Sequence, residues 1–421
     1  MIESIEAARS KAAKFARAHQ DDVIALTEEL VAAPSENLPG DETRPAEVVR
    51  TWLPRLGLPD ATTIAAEPHR PNLLITIDSG RPGPRLGICG HLDTKPVGDA
   101  AAEWMTDPFT ATTIGDRMYG LGTTDMKGAV AAMLVAGAAY AQVKDTVGGS
   151  LALILTADEE YGSVYGAEYL VRQDALDVDG IVLGEPSGVH ADWEGIRIVS
   201  RGISCFKVRV FGTQIHSSIS DQFPVVNAVE QMVRLYCGFK ERFRPRYPEH
   251  PLCGSGPTLN IGVKTLGGVG FGVNAGVAEF WSDVRTTPGM DLETFQQDVI
   301  AALEGAAAEI PGIRYEVEYA PNLTWIEPTE VPADHPLTTA CVDAGRRVLA
   351  REIPLAAFPG ASDAYPFQYI GGIPTIASFG PGLLTPAHGP NEWISLSSLR
   401  QAAEIYAHMA VTFCSGEAGP R

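Results

Sequence analysis

Short apolar runs alternate with helical patterns along the first part of the chain. The runs at 73–77, 86–89, 151–156 and 181–183 have the length of buried strands. The alanine-rich segment 128–142 has the length and composition of a helix. Alternation of this kind is typical of a mostly parallel sheet with helices on both faces.

The pattern changes between residues 200 and 320. Strand-like and helical segments follow one another there in the order β-α-β-β-α-β: 206–211, 226–239, 258–264, 278–285, 292–307 and 315–319. This set of elements can form an open-faced α+β sandwich of its own. We therefore predict a satellite domain over residues 200–320, inserted into the rest of the chain.

Helix and strand patterns alternate again beyond the satellite segment. Segments 337–350 and 396–413 are helical, and segment 375–379 is an apolar run of strand length. A chain of 421 residues is also longer than one hydrophobic core usually supports. We predict that segments 1–199 and 321–421 form one discontinuous catalytic domain, an α/β fold with a mixed, mostly parallel sheet flanked by helices.

The charge balance and the cysteines narrow the classes of partner and compartment. The 52 acidic and 32 basic residues give a formal net charge of −20, which disfavours nucleic acid and membrane surfaces as partners, although such acidity often serves only solubility. The longest apolar stretch, 128–140, is too short to cross a bilayer, and the N-terminus lacks the apolar run of a signal peptide. The six cysteines are scattered, with no Cys-x-x-Cys pair. We therefore expect a cytoplasmic protein with reduced thiols.

Residues that can bind metals follow the predicted strands at the points where the strands end. Imidazoles and carboxylates stand at these points or at the start of the alanine-rich helix: His91, Asp93, Asp125, Glu159, Glu160, Glu185 and His388. Because open parallel sheets place their sites beyond the carboxyl ends of the strands, we expect these side chains to lie close together. Imidazole and carboxylate ligands without a thiolate suit zinc, cobalt or manganese in a hydrolytic centre.

The arrangement of these residues suits a two-metal hydrolase. One bridging carboxylate would allow a small ligand set to hold two metals, which polarise a carbonyl and lower the pKa of a shared water. The adjacent residues Glu159 and Glu160 can divide the roles of general base and ligand. In His91-x-Asp93 the carboxylate can support the imidazole ring.

Each of these patterns also has an ordinary interpretation. A single His-x-Asp pair is more often a surface hydrogen bond, and an Asp-Glu-Glu run is more often a solvated loop. Their joint occurrence after apolar strands favours a metal centre. The sequence contains no Gly-x-Ser-x-Gly, Walker or His-Glu-x-x-His motif, so the mechanisms that use those motifs lack their signatures.

Several segments resemble, in order, successive signatures of one zinc-dependent metallopeptidase family: 90–99 (Gly-His-Leu-Asp-Thr-Lys-Pro-Val-Gly-Asp), 104–109, 119–128 (Tyr-Gly-Leu-Gly-Thr-Thr-Asp-Met-Lys-Gly), 156–160 (Thr-Ala-Asp-Glu-Glu) and 184–187 (Gly-Glu-Pro-Ser). Its members include acetylornithine deacetylase, succinyl-diaminopimelate desuccinylase, aminoacylase and carboxypeptidase G. The resemblance implies a zinc-peptidase-like catalytic domain that binds two Zn²⁺ ions per subunit, with Co²⁺ or Mn²⁺ as substitutes. It also implies a cis peptide bond after Asp125.

The resemblance implies a role for each residue of the centre. Carried over residue by residue, the metal ligands are Asp125 as the bridge, His91 and Glu185 at one ion, and Glu160 and His388 at the other. Glu159 corresponds to the general base of the family. Asp93 corresponds to the residue that orients the first histidine.

The satellite segment carries further resemblance. His216 ends the run Phe-Gly-Thr-Gln-Ile-His, which resembles the motif whose histidine is donated across a homodimer to stabilise the oxyanion. Asn274 and Arg285 resemble binders of the substrate carbonyl and carboxylate, and Gly360 and Ser362 lie in a segment that resembles the carboxylate-binding loop. Taken singly, such residues are more often a cap, a surface ion pair or a plain turn. The resemblance implies that the satellite domain acts as a lid or in dimerisation.

A glutamate at position 185, rather than an aspartate, resembles the deacylase and carboxypeptidase branch of the family. We therefore predict an enzyme that uses a two-zinc-activated water to cleave the amide bond of an N-acyl amino acid, or of a related small molecule with a free carboxylate. An aminopeptidase or dipeptidase on the same scaffold is the alternative. A metal-binding or dimerising module without catalysis is a third interpretation, although every expected position is filled.

Overall fold

The computed structural model describes residues 2–417. Their contacts divide the chain into two units. The first unit contains the chain up to Ser200, Thr329–Phe358 and the chain from Ser362 onwards, and the second contains Arg201–Pro328 and Pro359–Ala361. Residues 321–328 thus belong to the second unit, whereas the predicted satellite segment ends at residue 320.

The helices and strands follow one another in chain order. The chain up to Ser200 contains α1 (Ile2–Ala18), α2 (Gln20–Val31), α3 (Thr43–Arg55), β1 (Thr62–Ile64), β2 (Asn72–Asp78), β3 (Arg85–His91), β4 (Thr112–Ile114), β5 (Arg117–Tyr119), α4 (Gly128–Ala141), α5 (Lys144–Val147), β6 (Ser150–Thr156), α6 (Ala167–Arg172), β7 (Gly180–Leu183), β8 (Pro186–Gly188) and β9 (Ile196–Ser200). The second unit contains β10 (Gly202–Phe211), α7 (Ala228–Arg242), β11 (Thr258–Gly267), β12 (Val277–Thr286), α8 (Leu292–Ala307) and β13 (Arg314–Tyr319). The rest of the first unit contains β14 (Thr329–Glu330), α9 (Pro336–Leu349), β15 (Leu355–Phe358), β16 (Thr375–Ile376), β17 (Gly380–Leu383), β18 (Trp393–Ser395) and α10 (Leu396–Cys414). No helix among the described residues is long and apolar enough to span a membrane.

The main sheet of the first unit has six strands in the order β1-β2-β6-β3-β7-β16. Strands β6, β3, β7 and β16 run parallel, and β2 and β1 are antiparallel additions at one edge. Every residue of β3 and β6 after the first is buried, which requires cover on both faces. The predicted fold class, a mixed and mostly parallel sheet flanked by helices, is confirmed.

Helices on opposite faces hold this sheet in place. The segment 128–140 of α4 is buried throughout. A Cβ on Gly137 would lie 2.8 Å from Cδ1 of Leu153, so glycine allows α4 to approach β6 closely. On the other face, Leu170 of α6 packs in one cluster with Ile154. Full burial of one leucine or isoleucine contributes roughly 1.5–3 kcal/mol to the free energy of folding. These contacts therefore stabilise the sheet next to the strand ends.

The second unit contains an antiparallel sheet in the order β11-β12-β10-β13. Buried and half-buried residues alternate along β10, and Phe206, Val208 and Val210 point into a core that α7 and α8 complete. The side chains of Asn227 and Asp291 cap these two helices by accepting hydrogen bonds from N–H groups of the first turn. The predicted order β-α-β-β-α-β is confirmed.

Candidate metal centre

The carboxyl ends of three neighbouring parallel strands meet at one edge of the main sheet. His91 is the last residue of β3 and pairs with Thr156, the last residue of β6, while β7 lies on the other side of β3. The segments that leave these strand ends carry five carboxylates: Asp93, Asp158, Glu159, Glu160 and Glu185. The sheet therefore brings residues from three separate segments to one place.

Three side chains form a group that is buried throughout, here named the buried group: His91, Asp125 and Glu185. The Nε2 atom of His91 lies 3.0 Å from Oδ1 of Asp125 and 3.7 Å from Oε1 of Glu185. The Nδ1 atom of His91 contacts the backbone carbonyl oxygen of Asp93 at 2.9 Å. Because a carbonyl only accepts hydrogen bonds, Nδ1 carries a proton, and Nε2 can serve as a metal ligand.

A second group shares Asp125 and reaches the surface, and it is here named the open group: Asp125, Glu160 and His388. The Nε2 atom of His388 lies 3.0 Å from Oδ2 of Asp125 and 3.3 Å from Oε1 of Glu160. The His388 side chain is 49% exposed, whereas that of Glu160 is 3% exposed. The ammonium group of Lys95 lies 3.0 Å from Oε2 of Glu160 and also donates to the backbone carbonyl of that residue. The open group thus borders both solvent and a cationic side chain.

Asp125 joins the two groups, because each of its carboxylate oxygens faces a different imidazole. It lies just before α4, and its peptide bond to Met126 is cis, as the resemblance implies. Burial acts to raise the pKa of Asp125, but hydrogen bonds from His388 and His91 outweigh burial and hold this pKa well below its usual range. Burial acts to lower the pKa of His388, but its bonds to Asp125 and Glu160 raise it to about 10. The shared carboxylate is therefore ionised and can bridge two cations.

The buried charges around these groups are unbalanced without further cations. Burial, reinforced by the negative charge of nearby carboxylates, raises the pKa of Glu159 and of Glu185 well above the usual range of a carboxyl group. Buried carboxylates are costly unless cations pair with them. Imidazole nitrogens and carboxylate oxygens are ligands that zinc, cobalt and manganese accept. The residues present therefore fit one divalent metal ion in each group.

Glu159 belongs to neither group, and its backbone is held by Asp93. The N–H groups of Glu159 and Glu160 donate to the carboxylate of Asp93 at 3.2 and 3.1 Å. The nearest carboxylate oxygen of Asp93 lies 3.6 Å from Nδ1 of His91, farther than the Asp93 carbonyl oxygen. Asp93 thus contacts the ring through its carbonyl group, and its carboxylate holds the turn that carries Glu159.

The predicted catalytic residue His216 and the predicted substrate-binding residue Asn274 are neighbours in the second unit. The Nδ1 atom of His216 accepts a hydrogen bond from the backbone N–H of Ser218 at 3.2 Å, and the side chain is exposed. The backbone N–H of Asn274 donates to the carbonyl of Ile215 at 2.8 Å. This contact places Asn274 directly beside the His216 segment.

The other predicted substrate-binding residues have local partners. The Arg285 guanidinium donates to both carboxylate oxygens of Asp283, at 2.9 and 3.0 Å. The Gly360 carbonyl accepts a hydrogen bond from the Arg201 backbone within the second unit, at 3.1 Å. Ser362 is buried and belongs to the first unit. These three residues therefore do not form one cluster within either unit.

The chain matches a known protein family over the segment that carries this centre. Residues 87–412 match the profile of peptidase family M20/M25/M40, and this range includes both ligand groups. The chain belongs to peptidase family M20/M25/M40. The family prediction is confirmed, and the chain is a metallohydrolase.

Relatives of this peptidase family match along nearly the whole chain. Acetylornithine deacetylase from Proteus mirabilis (strain HI4320) is 28% identical over 408 residues, which cover 94% of this chain and 97% of that protein. The M20 family metallo-carboxypeptidase Sso-CP2 from Sulfolobus solfataricus has a similar fold, with a TM-score of 0.74, 19% identity and coverage of 94% of this chain and 99% of that one. The Bacillus subtilis YXEP protein, described as a dinuclear metal binding peptidase from the M20 family, has a TM-score of 0.67 at 17% identity, with 94% of this chain and 99% of that one covered.

Three side chains outside the predicted site residues contact this peptidase centre or its supporting turns: Asn37, Lys95 and Glu392. Asn37 donates to the carboxylates of Asp93 and Asp158 at 2.9 and 3.0 Å. Lys95 lies inside the signature 90–99, so its closeness to the ligands could have been predicted. Asn37 and Glu392 lie outside the recognised motifs. Their contacts join residues distant in sequence, and such contacts leave no periodic pattern.

Proposed function

We propose that this chain hydrolyses the amide bond of an N-acyl amino acid, or of a related small molecule with a free carboxylate. The observation that carries the proposal is the sharing of Asp125 between two ligand groups, with Glu159 outside both groups and next to the ligand Glu160 in the chain. A relative that matches nearly the whole chain is described as an acetylornithine deacetylase. This similarity supports a deacylase.

The proposed cofactor is a pair of zinc ions, with cobalt or manganese as substitutes. The buried group would hold one ion and the open group the other. A pair of bound divalent cations polarises a carbonyl group and lowers the pKa of a water. The buried, unbalanced carboxylates support this assignment, as does the description of the YXEP relative as dinuclear.

The proposed general base is Glu159. Its side chain belongs to neither ligand group, and its turn is held by the carboxylate of Asp93. Burial raises the pKa of Glu159, which favours a carboxylate that accepts a proton from the attacking water. The same group then delivers that proton to the leaving amine nitrogen. The acyl carbon gains the oxygen of the water as its bond to nitrogen breaks, and the proton goes to the released amine.

Substrate contacts are proposed for the remaining predicted residues. His216 is proposed to stabilise the oxyanion, and Asn274 to bind the substrate carbonyl. Arg285 is proposed to bind the substrate carboxylate together with the loop of Gly360 and Ser362. Since Arg285 already pairs with Asp283, a bound carboxylate must share or displace that pair.

A homodimer formed through the second unit is part of the proposal. Strand β11 is an edge strand of its sheet, and Val263 and Leu266 on it are exposed. Val269 and Phe271 in the following loop are also exposed. An unpaired strand edge with apolar side chains supports pairing with a second copy. Light scattering at micromolar concentration tests this, and a monomer would contradict it.

Replacement of the proposed base tests the reaction. Glu159→Gln removes the proton acceptor but no ligand, so we expect turnover to fall by about 10²- to 10⁴-fold while both metal equivalents remain. Steady-state kinetics and metal analysis of the same preparation measure the two effects. The matched control is Glu28→Gln on the exposed face of α2, which should change neither. A Glu159→Gln enzyme that retains most of its rate would contradict the assignment.

A substrate panel tests the bond that is cleaved. Acetyl and succinyl amino acids are compared with free dipeptides, using enzyme stripped by a chelator and reloaded with zinc or cobalt. We expect the stripped enzyme to be inactive and the reloaded enzyme to prefer the acyl amino acids. Exclusive cleavage of dipeptides would replace the deacylase proposal with a dipeptidase.

A further inference from the structure

A buried carboxylate that has no assigned role lies four residues after His388. Glu392 is 2% exposed, and its side chain accepts three backbone hydrogen bonds. Oε2 accepts from the N–H of Gly122 at 2.9 Å, and Oε1 accepts from the N–H groups of Thr124 and Asp125 at 2.9 and 3.1 Å. One side chain therefore connects the segment of His388 to the turn that carries the shared ligand.

The turn around Asp125 needs such a partner. Gly122 has φ +79°, and Asp125 and Met126 lie outside helical backbone geometry, so this segment is not an ordinary helical turn. Buried N–H groups that lack an acceptor are costly. Glu392 supplies acceptors for three of them. Its own backbone carbonyl also accepts from the N–H of Gly120 at 3.0 Å.

The contacts explain why a carboxylate suits this position. Among the described residues, no lysine, arginine or histidine side chain forms an ion pair with Glu392 within 4.0 Å, so backbone donors are what its two oxygens meet. A glutamine in the same place would offer one acceptor oxygen and one NH₂ group. That NH₂ group would face a backbone N–H, and one side of the connection would become repulsive.

We propose that Glu392 is a positioning residue of the metal centre, which fixes the backbone of Asp125 relative to the segment that carries His388. Both groups depend on it, because Asp125 belongs to each and His388 lies 3.0 Å from Oδ2 of Asp125. This inference rests on the two-ion centre proposed above. It differs from a purely structural role, since it concerns how tightly the folded protein binds metal.

The test compares zinc binding by folded, metal-free wild type and Glu392→Gln. Zinc affinity is measured by competition with a chromogenic chelator, and metal equivalents are measured on the same samples. Partners that orient metal ligands typically contribute about 10- to 100-fold to affinity, so we expect Glu392→Gln to bind zinc at least about tenfold more weakly. Glu392→Asp retains two acceptor oxygens on a shorter side chain and should lie between the two.

The matched control is Asp291→Ala, which removes the cap of α8 in the second unit. It should lower the unfolding temperature but leave zinc affinity unchanged. Amide hydrogen exchange of the metal-free proteins adds a second readout: the N–H groups of Gly122, Thr124 and Asp125 should exchange faster in Glu392→Gln. If this variant does not fold, Glu392→Asp is measured in the same way.

Two results would overturn the inference and are distinguishable. Equal zinc affinity in wild type and the Glu392 variants would show a structural role alone and would leave the proposed function intact. A wild type that binds no zinc would overturn both the inference and the two-ion centre.

Discussion

The two ligand groups use the same chemistry in different surroundings. His91 in the buried group is 1% exposed and ends a central strand, whereas His388 in the open group is 49% exposed and lies in a loop. Among residues 2–417, the lysine that pairs with a ligand of either group is Lys95, at Glu160 of the open group. The type of ligand therefore determines which metal fits, while burial and neighbouring charge determine how tightly the metal binds. We expect the ion of the open group to exchange faster.

The largest effect should follow from removing what the groups share. Asp125→Asn keeps the size of the side chain but removes its charge, so both groups should bind zinc at least about 100-fold more weakly, beyond the loss caused by an orienting partner. Metal analysis after dialysis measures the loss, with exposed Asp60→Asn as the control. Retention of one full equivalent would show that the groups are independent.

Removal of one imidazole at a time should separate the groups. His91→Ala and His388→Ala should each retain one tight zinc equivalent. Because His388 is half-exposed, added imidazole should reach the gap in His388→Ala and restore the second equivalent, whereas the gap in His91→Ala is closed to solvent. Zinc titration with and without imidazole measures this. Equal rescue of both variants would contradict the difference in accessibility.

The smallest effect should come from the neighbouring cation. Lys95→Met keeps most of the length of the side chain but removes a charge that competes for Glu160 and would repel a bound ion. Since Lys95 is partly exposed, we expect only a roughly threefold to tenfold gain in zinc affinity of the open group. The control is Lys144→Met, which removes an exposed ammonium group from the backbone carbonyl of Asp78. An unchanged or weaker affinity in Lys95→Met would show that Lys95 does not oppose the ion.

Much of the centre could be predicted because its residues follow apolar strands. His91, Glu160 and Glu185 come just after buried runs, and the carboxyl ends of parallel strands meet at one edge. The place of His388 is harder to predict from the strand pattern. The predicted strand 375–379 is only two residues long, since the Ala377 N–H donates instead to the carbonyl of Arg197 in β9. The strand pattern still includes His388, as a residue of the loop beyond this run, and the family resemblance adds its role as a ligand.

Other features could not be predicted from periodicity. Helix α3 contains prolines at positions 45 and 54 and several charged residues, which interrupt the apolar pattern that marks a helix. Glu392 reaches backbone groups more than 260 residues earlier in the chain. Such a contact depends on the completed fold, and neither composition nor spacing records it.

Because Asp125 contacts two imidazoles that lie far apart in the chain, the two groups are completed at different times during synthesis. One imidazole comes from β3, and the other comes from a loop about 300 residues later in the chain. During synthesis, the early strand leaves the ribosome long before position 388 does. All residues of the buried group are therefore synthesised before His388, so the open group is completed later than the buried one.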